Sequence, residues 1–172
     1  MNTKTILGIS FAVVFAVAMI STPAFAGAHP PWLIVSSSVV DAQSSKVTKA
    51  TVVATGDIPR NTDIFGGYAF PISGNPNWAF LGITTHDPAR DSHQNPVGWH
   101  PHLVNVDGSL CITGVSQGTN GGITIMGDTL MLRIPNTEIG GTISSGTAFA
   151  FFIKSDTSLC PSPLPGLKLV PS

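Results

Sequence analysis

The chain has 172 residues, of which 42% are hydrophobic and 10% are charged, and its formal net charge is -1 at pH 7. The apolar fraction is too high for a disordered chain. The near-zero charge, with no basic patch, argues against binding to nucleic acid or to anionic lipid. Because charged residues are scarce, the polar surface must come mainly from Ser, Thr, Asn and Gly, as is usual for a secreted β-protein.

The N-terminus has the three parts of a secretory signal peptide. Lys4 supplies the positive charge, residues 6–20 form an apolar run, and Ala24-Phe25-Ala26 resembles a cleavage signal. The apolar run is shorter than the roughly twenty residues that span a bilayer, which favours cleavage over a retained anchor. We therefore expect a signal peptide over residues 1–26 and one exported domain over residues 27–172, without membrane insertion after cleavage, in a secreted, periplasmic or cell-surface location.

Cleavage would also decide the role of His29. If it follows Ala26, His29 is the third residue of the mature chain, and the amine, backbone nitrogens and imidazole can bind Cu(II) in a square plane. If it follows Ala28, His29 becomes the first residue and chelates through its amine and ring. The alternative is a frayed end on which the histidine has no role.

Short runs of apolar and β-branched residues between turn signals predict strands along the chain. They cover residues 32–40, 46–55, 64–72, 78–85, 100–106, 109–115, 123–126, 129–134 and 147–154. Asp107-Gly108 predicts a two-residue type I′ hairpin, and Gly127-Asp128 predicts a second hairpin. The run 147–154 is apolar on both faces and should lie inside a sheet, whereas the proline-rich tail 161–172 should be extended.

No window after residue 30 carries a helical repeat longer than about two turns. Many short strands predict an all-β fold, an antiparallel β-sandwich of immunoglobulin-like or jelly-roll-like type with roughly seven to nine strands. Residues 87–98 fall between two predicted strands and contain prolines and a histidine. We expect them to form one long functional loop.

Cys111 and Cys160 are the only cysteines, and an even number in an exported chain predicts a disulfide. Such a bond would bring the tail close to the hairpin that follows residues 100–106. The alternatives are two buried free thiols, or Cys111 as a metal ligand.

Four of the five histidines lie between residues 84 and 106. His100 and His102 are two residues apart on a predicted strand, so both imidazoles should share one face of a sheet. Imidazole is the commonest ligand for zinc and copper. We therefore expect a copper or zinc site at His86, His100 and His102, completed by His93 or Asp91. The alternatives are histidines that hydrogen-bond the loop to the sheet, and a metal-free cluster that binds a ligand or responds to pH.

Other motifs point away from catalysis. Residues 114–118 match the G-x-S-x-G nucleophile motif, but no helix start and no histidine follow them, so no catalytic residue is assigned.

The large aromatic residues are Trp32, Trp78, Trp99 and Tyr68. They could form a sugar-stacking platform, but large aromatic residues of a sandwich usually belong to the core. If its strand is regular, Trp99 should point away from the face that carries His100.

These patterns predict an exported binding module whose partner is a copper or zinc ion or a small ligand. The alternative is a secreted or cell-surface structural or interaction protein with no metal and no catalytic chemistry.

Overall fold

A computed structural model describes residues 29–42, 46–85, 98–116, 121–160 and 166–172. The predicted signal peptide lies outside these residues. The described elements are a 3-10 helix (Pro31–Leu33), β1 (Val35–Ala42), β2 (Val47–Ala54), β3 (Gly66–Pro71), β4 (Phe80–Thr85), β5 (Trp99–Val106), β6 (Ile112–Val115), β7 (Gly122–Met126), β8 (Thr129–Pro135), α1 (Asn136–Ile139), β9 (Phe149–Ser155) and β10 (Leu167–Pro171).

The strands form two antiparallel sheets, which confirms the predicted all-β sandwich. The four-stranded sheet has the order β1-β2-β8-β7, and the six-stranded sheet has the order β10-β9-β3-β4-β5-β6. The described residues contain ten strands, so the predicted seven to nine was too low. The additional strand is β10, which the proline-rich tail forms by pairing with β9.

The main core lies between the two sheets. In β2 every second side chain is buried, in the order Thr48, Ala50, Val52 and Ala54, because successive residues of a strand point to opposite faces. The buried residues of the four-stranded sheet meet Tyr68, Phe70, Leu81, Ile83 and Trp99 of the six-stranded sheet. Burial of one large aliphatic side chain, such as Leu81 or Ile83, contributes roughly 1.5 to 3 kcal/mol to the free energy of folding.

The second face of the six-stranded sheet forms a separate core. Its buried members are Ala69, Val104, Ile112, Phe151 and Leu169. The sheet curls until its edge strands β6 and β10 meet. There the backbones of Cys111 and Lys168 form an isolated antiparallel β-bridge, and the Leu169 amide donates to the Leu110 carbonyl at 2.9 Å. We call this arrangement the curled sheet. Strand β9 pairs with β10 on one side and β3 on the other, which confirms that it lies inside a sheet.

The two predicted hairpins differ in outcome. Met126 pairs directly with Thr129 around Gly127-Asp128, which confirms a two-residue turn. The prediction of a type I′ turn at Asp107-Gly108 is wrong. The Leu110 amide donates to the Asp107 carbonyl at 3.0 Å, and Leu110 has a positive backbone φ of 62°. The Asp107 carboxylate accepts hydrogen bonds from the amides of Ser109 at 2.8 Å and Cys111 at 3.0 Å. These bonds stabilise a longer loop than the dipeptide alone predicts.

The predicted disulfide is present. The sulfur atoms of Cys111 and Cys160 are 2.05 Å apart and their Cα atoms are 5.3 Å apart, so the free-thiol and metal-ligand interpretations of Cys111 are wrong. The bond lies beside the meeting of β6 and β10 and brings the tail to the hairpin, as expected. A disulfide is consistent with an oxidising compartment. Among the described residues, no helix is long and apolar enough to cross a membrane.

Candidate functional site

The candidate site is built on β5, whose residues alternate between the two cores. Trp99 and Leu103 belong to the core between the sheets. The Trp99 ring is fully buried, and its Nε1 donates to the Pro59 carbonyl at 2.7 Å. His100 and His102 therefore point to the inside of the curled sheet, as predicted from their spacing.

The two imidazoles are buried and in contact. His100 is 1% exposed and His102 is 5% exposed. Their ring centroids are 4.5 Å apart, and the ring planes meet at 79°. Burial of two polar rings requires hydrogen-bond partners, because a buried polar group without one costs free energy.

Each ring is within hydrogen-bond distance of a backbone carbonyl. His100 Nδ1 lies 2.8 Å from the Gly98 carbonyl oxygen, and His102 Nδ1 lies 2.9 Å from the Ser116 carbonyl oxygen. A carbonyl oxygen only accepts, so in each neutral ring Nδ1 carries the proton and Nε2 carries the lone pair. The fold thus sets the same tautomer in both histidines.

The neighbouring strand β4 supplies small residues beside the pair. Gly82 is paired with His102, and Thr84 is paired with His100. Thr84 is 2% exposed, and its Oγ1 has no hydrogen-bond partner among the described residues. Both residues come from a strand distant in sequence, so spacing within 100–102 could not reveal them.

Ser116 has a structural role at this site. Its Oγ accepts a hydrogen bond from the Leu103 amide at 2.7 Å, while its carbonyl accepts the one from His102 Nδ1. These two bonds tie the end of β6 to β5. Ser116 is the serine of the G-x-S-x-G match, and its hydroxyl oxygen takes part in joining the two strands.

The other predicted ligands are not described. His86, Asp91 and His93 lie outside the described residues, in the segment that joins the end of β4 at Thr85 to the start of β5 at Trp99. Within the described ranges, no group of three or more His, Cys, Asp or Glu side chains could hold a metal ion. Of the predicted ligands at this site, the structure therefore describes His100 and His102.

His29, the candidate for an N-terminal copper site, is described, but Gly27 and Ala28 are not. Its ring lies 5.6 Å from the Phe152 ring, measured between centroids, at an angle of 37°. It lines a surface depression with Pro30 and Ile64. The copper interpretation of His29 stays a prediction.

Three of the four large aromatics belong to the main core. Tyr68 stacks on Trp99 with the centroids 5.7 Å apart and an angle of 11°, and its hydroxyl donates to the Trp32 carbonyl. Burial raises the pKa of Tyr68 well above its ordinary value. Trp78 is partly buried and packs against the same core. A sugar-stacking platform of these residues is excluded.

Comparison with family models, with curated proteins and with solved structures finds no match. The fold and the site therefore define only a class: a disulfide-linked antiparallel β-protein with a buried histidine pair in its curled sheet.

Proposed function

We propose that this protein is an exported module that binds a copper or zinc ion through His100 and His102. The observation that carries the proposal is the pair of Nδ1 bonds to backbone carbonyls. Metal-binding histidines typically donate the ring N–H that does not face the metal to a carbonyl or carboxylate, which fixes the tautomer and the orientation of the ring.

The chemistry of the pair suits zinc or copper, since both metals bind imidazole nitrogen readily. Two rings in contact at a centroid distance of 4.5 Å present two nitrogen ligands from one short stretch of strand. A tetrahedral site needs further ligands. We propose His86 as the third, with His93 or Asp91 completing the shell, because their segment joins the two strands at the pair.

The proposed location is secreted, periplasmic or at the cell surface. It is supported by the signal-peptide pattern of residues 1–26 and by the disulfide, which persists in oxidising compartments. No catalytic residue is assigned, so the proposal is for binding and not for a reaction.

Calorimetric titration of the mature protein with Zn(II) and with Cu(II) tests the proposal. We expect about one equivalent of either ion to bind at the pair. A His100→Gln/His102→Gln double variant should lose more than the roughly 10- to 100-fold in affinity that removal of an outer partner costs. The matched control is His29→Gln, which removes a histidine outside the pair and, with Cu(II), reports the proposed N-terminal site separately. Equal affinities of the wild type and the double variant would contradict the proposal.

A second candidate has its own support. The bonds from His102 and Leu103 to Ser116 join β5 to the end of β6, which is what a structural role of the histidines requires. In that case the protein is a secreted or cell-surface structural or interaction protein without metal. Protein purified from its native source would then contain no metal, and the double variant would lose stability only. Close to one equivalent of metal in the native protein would decide against this candidate.

A further inference from the structure

The curled sheet encloses a cavity of about 170 Å³. Its walls are mainly apolar and include Phe65, Phe80, Phe151 and Leu169. Phe65 and Phe80 are partly exposed, whereas Phe151 and Leu169 are buried. The cavity thus reaches from the inner core of the curled sheet towards the surface.

Small residues at paired positions create this space. Ala69 of β3 is paired with Gly82 of β4, and both line the cavity. A Cβ atom on Gly82 would lie 3.4 Å from Val104 Cγ2, a contact that the neighbouring strand could accept. Bulky residues at these two positions would have filled the space, as side chains do in most protein interiors.

Two polar side chains, Thr84 and His102, line the otherwise apolar cavity. Thr84 is 2% exposed, and its Oγ1 has no hydrogen-bond partner among the described residues. Buried hydroxyl groups are normally hydrogen-bonded, and one without a partner calls for an explanation. A ligand hydroxyl inside the cavity would supply that partner, since it both donates and accepts.

The volume sets the size of the ligand. An engineered apolar cavity of roughly 150 Å³ binds benzene, so about 170 Å³ accommodates one six-membered ring with a single substituent. Fatty acids and sterols are too large. The three phenylalanine rings of the wall also favour an aromatic ligand, because aromatic rings attract one another beyond the effect of buried area.

We propose that the cavity of the curled sheet binds a small aromatic alcohol of phenol size, with its ring among the phenylalanines and its hydroxyl at Thr84 Oγ1. This inference goes beyond the metal proposal and does not depend on it. His102 lines the same cavity, but its Nδ1 bond to Ser116 is compatible with a bound ring.

Phenol and toluene are the probes, because they are nearly equal in size and differ in one hydroxyl group. Each is titrated by NMR into metal-free and zinc-treated mature protein. We expect saturable binding of phenol to the metal-free protein, with shifts of the methyl groups of Val104 and Leu169. In a Thr84→Val variant, the ratio of phenol to toluene affinity should fall roughly tenfold, the effect of one lost hydrogen bond. Thr51→Val, on β2, is the matched control and should leave the ratio unchanged.

A filling variant, Ala69→Leu, should weaken both probes by more than about tenfold, with folding checked by circular dichroism. If that variant does not fold, the ratio measured in Thr84→Val decides alone. Absence of saturable phenol binding to the wild type would overturn the proposal, as would an unchanged ratio in Thr84→Val. Phenol binding in the absence of metal separates this result from failure or success of the metal titration.

Discussion

Removal of the disulfide should destabilise the protein by an amount that its loop length sets. Cys111 and Cys160 are separated by 49 positions, and the chain-entropy model gives about 4 kcal/mol for a loop of this length. For a mature chain of about 145 residues, this corresponds to a fall in Tm of about 10 to 15 °C. The bond also lies where β6 meets β10, so its loss should loosen the closure of the curled sheet.

The assay is urea unfolding of the wild type and of a Cys111→Ala/Cys160→Ala variant, followed by tryptophan fluorescence. Both cysteines are buried, at 4% and 3% exposure. Alanine is the replacement because it places no polar group in the core. Reduced wild-type protein is the control for the lost side-chain volume. The m-value should rise, because the unfolded chain without the link exposes more surface. A loss below about 1 kcal/mol, with m unchanged, would refute the entropic reasoning.

Three further predictions concern single side chains. Tyr68 is the only tyrosine, and since burial raises its pKa, absorbance titration should detect no tyrosinate near pH 10 before unfolding. The stabilising effect of the neutral hydroxyl is present below that pH and is lost as the pH rises above it. Gly67→Ala should lower the free energy of unfolding in urea by more than about 3 kcal/mol, because the new Cβ would lie 1.9 Å from the Ile83 carbonyl oxygen. Gly108→Ala is the control: its new Cβ would lie in open space, so the free energy of unfolding should change by less than about 0.5 kcal/mol. The hydrogen bond from Ser158 lowers the pKa of Asp156. The urea midpoint should therefore decrease as the pH is lowered from the ordinary carboxyl pKa through the lowered one. Asp156→Asn should flatten this dependence.

Local patterns in the sequence were sufficient to predict much of the sandwich. The alternation in Val47–Ala54 and the turn at Gly127-Asp128 depend on neighbouring residues only, and both agree with the structure. The shared face of His100 and His102 follows from the same two-residue period. Pairing of Cys111 with Cys160 was predictable because no other cysteine was available.

The features that could not be predicted depend on contacts distant in sequence. Leu167–Pro171 becomes a strand through its pairing with β9, and no local pattern marks it as one. The loop at Asp107 depends on side-chain bonds to two amides and not on its dipeptide. Thr84 reaches the histidine pair through the register of β4 against β5, which the sequence of either strand alone does not set.

Backbone carbonyls fix the orientation of both imidazoles of the pair, and we propose that their Nε2 atoms bind the metal. Long-range proton–nitrogen NMR of the histidine rings in the mature protein measures this directly. We predict that His100 and His102 both carry the proton on Nδ1, and that one equivalent of Zn(II) or Cu(I) shifts both Nε2 resonances while the Nδ1 protons remain. A proton on Nε2 of either ring in the metal-free protein, or Nε2 resonances that neither ion moves, would contradict the claim.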